Sequence, residues 1–189
     1  AASDVYKRQA GNHTWYIDPD QGNDGNPGTS PSTAWKSMSP ANRLIMSRGD
    51  TLVIQPGEHA ASLALMGEGS RQAPVTIRFM PGRHVFKHGA LVTGKPQISN
   101  TNDAPNEAKA MAIRLVEAKN VRLEGKPGAT DILLEGKAIF VCMEHAENVS
   151  LNGLGFDYVH PTMGEFLVTE VEGLSLIHIS EPTRHSLIS

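Results

Sequence analysis

Asp157, His160 and Glu165 stand close together in the run Leu154-Gly155-Phe156-Asp157-Tyr158-Val159-His160-Pro161-Thr162-Met163-Gly164-Glu165-Phe166. Two carboxyl groups and an imidazole are what general acid–base chemistry needs, one group giving a proton while another activates water. If Leu154, Phe156 and Tyr158 face a core, alternation turns Asp157 outward. These three residues are cleft candidates. They serve more readily as rim, turn or inter-strand hydrogen-bonding groups than as catalysts, and the catalytic residues are left unknown. Arg83 suits an acidic sugar or, more plainly, the capping of a turn.

Metal chemistry finds little support. Asp18, Asp20 and Asp24 suggest calcium, but an EF-hand loop counted from Asp18 puts Gly22 at its fifth position and Thr29 at its twelfth, where ligands are required. Glu144-His145 has no metal spacing, and His84 with His88 reads as a pair of surface histidines in a loop-like run. The single cysteine, Cys142, sits in an apolar run and is expected as a buried free thiol. No cofactor and no metal site are expected.

The elements that would carry such groups are set by a repeat. Glu117-Ala-Lys-Asn-Val-Arg-Leu-Glu-Gly returns as His145-Ala-Glu-Asn-Val-Ser-Leu-Asn-Gly, a shift of 28 residues between Asn120 and Asn148. Ile132-Leu133-Leu134 and Ile139 to Met143 lie between the copies. Periods of roughly 20–50 residues mark solenoids, whose units bury their apolar faces on one another. Three short strands per repeat leave no room for an ordinary helix. The fold class is therefore all-β, a right-handed parallel β-helix of three strands per coil over about 51–171. Val121 should lie over Val149 and Leu123 over Leu151. Asn120 and Asn148 should stack at a turn.

Upstream, Thr14 to Ile17 reads as a strand. Ser39 to Met46 reads as a short capping helix, with Ser39 as N-cap, Pro40 at the first helical position and Gly49 ending it. Strands ending in Pro56-Gly57 and Pro81-Gly82 suggest successive turns, and Gln97–Lys109 suggests a projecting polar loop. Asp4 to Gln9 and Leu174 to His185 resemble translated sequencing-library adapter. The chain thus divides into adapter (1–9), opening strand, loop and capping helix (10–50), coils (51–173) and adapter again (174–189), a fragment open at both ends.

The chain has 189 residues and a formal net charge of −3. The flanks carry three basic and two acidic residues, so the remainder is about −4. Neither nucleic acid nor an anionic membrane is suggested as a partner, and no apolar run approaches the roughly 20 residues that span a bilayer. The 18 Gly and 12 Pro fit a turn-dense β chain.

Trp15-Tyr16-Ile17-Asp18-Pro19, Gly22 to Ser30, Trp35-Lys36 and Gly49 to Gly57 resemble secreted β-helix enzymes acting on polysaccharides. A narrower resemblance begins at Phe79. Pro81 to Phe86, Ile98 to Asn102, Lys119-Asn120-Val121, Leu134 to Lys137, Glu147 to Leu151, Phe156-Asp157-Tyr158 and Pro161 to Phe166 are similar to the α-1,3-galactosidases of glycoside hydrolase family 110. The opening before Phe79 departs from that family. The resemblance implies a secreted, periplasmic or cell-surface enzyme that removes terminal α-galactose from a glycan or oligosaccharide. It further implies inversion of configuration without a metal, and catalytic acids in later coils than these. A polysaccharide lyase and a non-catalytic β-helix adhesin are the alternatives.

Overall fold

The computed structural model describes residues 7–8, 11–96, 107–160, 167–172 and 175–180. Residues up to 159 form one compact unit, and those from 160 onward a second.

Three parallel stacks of strands make up the first unit. The first contains Thr14–Ile17, Thr51–Ile54, Val75–Phe79, Lys119–Glu124 and Glu147–Asn152, each parallel to the next. The second contains Gly57–His59, Gly82–Lys87, Thr130–Glu135 and Gly155–Tyr158. The third contains Lys7–Arg8, Leu44–Ser47, Leu63–Glu68, Lys109–Val116 and Ile139–Glu144. From residue 44 onward the chain visits third, first and second stacks in that order, and does so four times. A short antiparallel arm, Val92–Gly94 on Lys109–Val116, stands between the second and third cycles. Ser62 Oγ braces it, donating to Met111 O at 2.6 Å and accepting from Val92 N at 2.7 Å.

Alternation fills the space between the stacks. Trp15, Leu52, Ile77, Leu123 and Leu151 form one inward row across the first stack. All but Leu151 are buried. His59, Phe86, Leu134 and Tyr158 form an inward row of the second. Each fully buried large aliphatic or aromatic side chain contributes roughly 1.5–3 kcal/mol. The expected registers hold: Val121 pairs with Val149 and Leu123 with Leu151. Cys142 is a buried free thiol opposite Arg114. Burial first, and the Glu144 carboxylate second, push its thiol pKa up.

The repeat also fixes the corners. Glu117 and Asn120 have φ of 50°, and their equivalents His145 and Asn148 have φ of 53°. Asparagine tolerates this left-handed conformation, which costs most residues roughly 1–2 kcal/mol. Asn148 Nδ2 donates to Asn120 Oδ1 at 2.6 Å, and Asn120 Nδ2 to Gly69 O at 3.2 Å. Asn120→Ala removes both bonds and puts a methyl-bearing residue in the left-handed region. The expected loss is about 2 kcal/mol, read as a lower urea midpoint at unchanged m-value. Asn120→Gly should recover only the backbone part.

The capping helix over Ser39 to Met46 is not formed. Only Ala41–Arg43 makes a 3₁₀ turn, with Pro40 rather than Ser39 as its N-cap and no side-chain capping bond. Leu44–Ser47 is a strand. Asn42 explains the choice: its Nδ2 donates to Ser62 O at 2.8 Å and its Oδ1 accepts from Ala64 N at 2.9 Å. The side chain imitates one more ladder step and draws the following residues alongside Leu63–Glu68. Parallel pairing also starts upstream of the Thr51 expected from the sequence, with Lys7–Arg8 on Leu44–Ser47 and Thr14–Ile17 on Thr51–Ile54. Buried Asp50 ties that beginning together, accepting from His13 N at 2.9 Å and Ser47 N at 2.7 Å. At the other end the parallel ladders reach Tyr158 rather than Val171. In the second unit Leu167–Glu172 pairs antiparallel with Ser175–Ser180.

Candidate functional site

The outer face of the second stack carries outward polar groups around a cleft of about 480 Å³. Glu58, Arg83, Lys87 and Glu135 supply its charges, and Val85 and Val159 its apolar floor. Alternation explains the arrangement. With His84 and Phe86 turned inward, Arg83, Val85 and Lys87 of the same strand must point out. Register brings Glu135 opposite Lys87 and Glu58 opposite Val85. Lys87 Nζ lies 2.8 Å from Glu58 Oε2 and 3.8 Å from Glu135 Oε2. The hydrogen bond to Glu58 raises the Lys87 pKa. The ammonium is shared between the two carboxylates, closely with Glu58 and at longer range with Glu135. Their hydrogen-bonding capacity over an aliphatic floor suits the hydroxyls and apolar ring faces of sugars.

Asp157 does face outward. It is exposed on Gly155–Tyr158, in register with Leu133, and its Oδ1 accepts from Tyr158 N at 2.7 Å. Glu58, Val85, Leu133 and Asp157 form one row across four strands. Three strand spacings of roughly 4.8 Å part Asp157 from Glu58, beyond the roughly 6.5–9.5 Å of an inverting carboxyl pair. His160 is exposed and belongs to the second unit. Glu165 lies outside the described residues. Arg83 is an exposed strand residue on the cleft rather than a turn cap.

His84 corrects the expectation of a surface histidine. It is fully buried, while His88 is exposed. Its ring stacks on that of His59, also buried at 2 % exposure, with centroids 5.3 Å apart and planes 10° from parallel. His84 Nε2 donates to Met80 O at 2.8 Å, which leaves its Nδ1 to accept from His59 Nε2 at 3.1 Å. Both rings are therefore neutral Nε2–H tautomers, and the buried His59 Nδ1 has no partner. Burial, then the neighbouring His84, push the His59 pKa down to about 3. Burial also lowers that of His84, against the opposing bond to Met80. The signal was present in the sequence: placing Phe86 inward places His84 inward.

The acidic opening loop is used for shape. Asp24 accepts from Lys36 N, Ser37 N and Ser37 Oγ at 2.7–2.8 Å. Asp18 Oδ1 accepts from Asp20 N and Gln21 N. Among the described residues no group of three or more His, Cys, Asp or Glu could hold a metal.

Comparison with known proteins gives this face its context. No family model matches the chain. It is 90% identical over 166 residues to α-1,3-galactosidase A of Akkermansia muciniphila, an alignment covering 88% of this chain and 28% of that protein. The chain is a member of the α-1,3-galactosidase family. A more distant member, α-1,3-galactosidase A of Bacteroides fragilis, is 26% identical over 130 residues, covering 67% of this chain and 21% of the relative. The chain thus spans between a fifth and a third of the length of these curated family members. Among solved structures, the GH136 lacto-N-biosidase of Eubacterium ramulus matches with a TM-score of 0.50 at 16% identity. That match covers 77% of this chain and 34% of the other, a likeness of fold.

Proposed function

We propose that this chain is the early part of an exported glycoside hydrolase that removes terminal α-1,3-linked galactose from glycans with inversion. The observation carrying the reading is the 90% identity over 88% of the chain to an α-1,3-galactosidase. The scaffold is proposed to be a right-handed parallel β-helix. Three parallel ladders visited in a constant order support it, and parallel crossovers are right-handed in about 98% of cases. The catalytic carboxyl pair is placed in coils beyond these residues. Asp157, outward on the last strand of the second stack, is assigned to the rim of the substrate cleft. The lyase and adhesin alternatives have no observation of their own.

A chimera tests the reading. Residues 11–160 replace the matching stretch of the Akkermansia galactosidase, and galactose release from an α-1,3-linked digalactoside is followed by NMR. Turnover near the parent's rate, with β-galactose appearing first, is expected. The 189-residue chain alone should release none. A chimera with the parent's circular dichroism and melting temperature but no turnover would sink the proposal.

A further inference from the structure

On the outer face of the first stack, apart from the cleft on the second, two guanidinium groups lack an ion-pair partner among the described residues. Arg122 lies opposite Thr76 on one side and Ser150 on the other, all outward from the ladder. Arg71 stands in the turn that precedes Val75–Phe79. Both line a small recess of about 80 Å³ together with Ser70, Ser150, Asn120 and Asn148. Neither arginine has an ion-pair partner among the described residues, whereas Arg78 on the same face pairs with Glu124 at 2.7 Å and Arg114 on the third stack with Glu144 at 2.6 Å. Two guanidiniums without an ion pair thus share one polar recess.

We propose that Arg71 and Arg122 form a binding site for an oxyanion carried by a glycan, a sulfate ester or a sugar carboxylate. The recess holds two or three waters' worth of space at roughly 30 Å³ each. That suits one oxyanion and excludes a pyranose ring, so the sugar itself would lie outside on the sheet. Guanidinium offers paired N–H donors matched to the oxygens of sulfate and carboxylate. The remaining wall adds donors. Ser70 Oγ accepts from Ala73 N at 3.1 Å and keeps its hydrogen free. Asn148 Nδ2 spends one hydrogen on Asn120 Oδ1 and has a second to give. The hydrogen-bonded asparagines hold that wall in place, so little ordering cost remains for the ligand. That the anion is carried by a glycan rests on the galactosidase reading, whereas the anion site itself is read as binding and not as turnover.

The test follows the arginine Nε–Hε NMR resonances of the ¹⁵N-labelled 189-residue chain at constant ionic strength. Inorganic sulfate, galactose 6-sulfate, a sialylated trisaccharide and lactose are titrated separately. Saturable shifts of Arg71 and Arg122 with at least one acidic sugar are expected, with no response to lactose and none at the ion-paired Arg78. The two acidic sugars distinguish sulfate ester from carboxylate. Arg71→Gln and Arg122→Gln, at exposed side chains, should each weaken binding at least tenfold while the other resonances keep their dispersion. A response to inorganic sulfate alone, an equal response to lactose, or undiminished binding in both variants overturns the proposal.

Discussion

Lowering the pH from 7 to 4 is expected to destabilise the first unit by about 3 kcal/mol through His59 alone. The folded-state pKa is about 3, against an ordinary 6.5. Between those values the unfolded chain binds the proton and the folded one does not. The stability is therefore fully present above about 6.5 and is lost as pH falls toward 3, at roughly 1.4 kcal/mol per pH unit. Structure explains why the folded state refuses the proton. It would have to enter at Nδ1, which is buried and has no acceptor, beside Phe86 and the stacked His84. The lowered His84 pKa acts in the same direction. Urea midpoints at pH 7, 5.5 and 4 measure the slope. His59→Leu should flatten it by close to one proton, and an unchanged slope in that variant would show that acid acts elsewhere.

Gly82→Val is expected to cost more than about 3 kcal/mol and to lower the melting temperature by about 10 °C. Gly82 has φ +134°, a region closed to branched side chains. A Cβ there would lie 2.7 Å from Pro56 Cβ. Gly57, with φ +139°, stands in the same relation to Pro19, at 2.6 Å from its Cγ. Each proline thus closes over the glycine of the next Pro-Gly corner, and neither can give way. Gly128 provides the contrast: its φ is +68°, but a Cβ there meets nothing within 4 Å. Gly128→Ala should cost only about 1–2 kcal/mol. Equal losses at the two positions in thermal denaturation would refute the steric account.

The 28-residue repeat carried most of the architecture into view. It placed Asn120 beside Asn148 and Val121 on Val149, because identical corners and strands stack only in register. Outward Asp157 followed from alternation alone. Earlier residues were harder, since the strand cycles before Glu117 differ in length and share little beyond a Pro-Gly corner. There the Pro40 and Ser39 pattern favoured a helix locally, and a long-range bond from Asn42 to Ser62 overruled it. The cleft was invisible for a similar reason. Glu58, Lys87 and Glu135 come from three separate strands, and nothing in linear spacing says that they meet. His84 was legible through Phe86, since alternation after the Pro81-Gly82 turn puts both on the inner face.

The asparagine row has a direction. Each amide gives a hydrogen backward along the stack, Asn148 to Asn120 and Asn120 to Gly69, and Asn120 receives on its own oxygen from Asn148 ahead of it. Aligned amide dipoles of this kind polarise one another, so the row gains strength as it grows. It also enforces a grammar. Asn148 Oδ1 is an acceptor, and whatever is stacked on it must bring a hydrogen. Asparagine, glutamine, serine or lysine continues the series, whereas an ionised aspartate of nearly the same shape stops it. One atom's worth of chemistry at a corner thereby governs which polypeptide can be added to the stack.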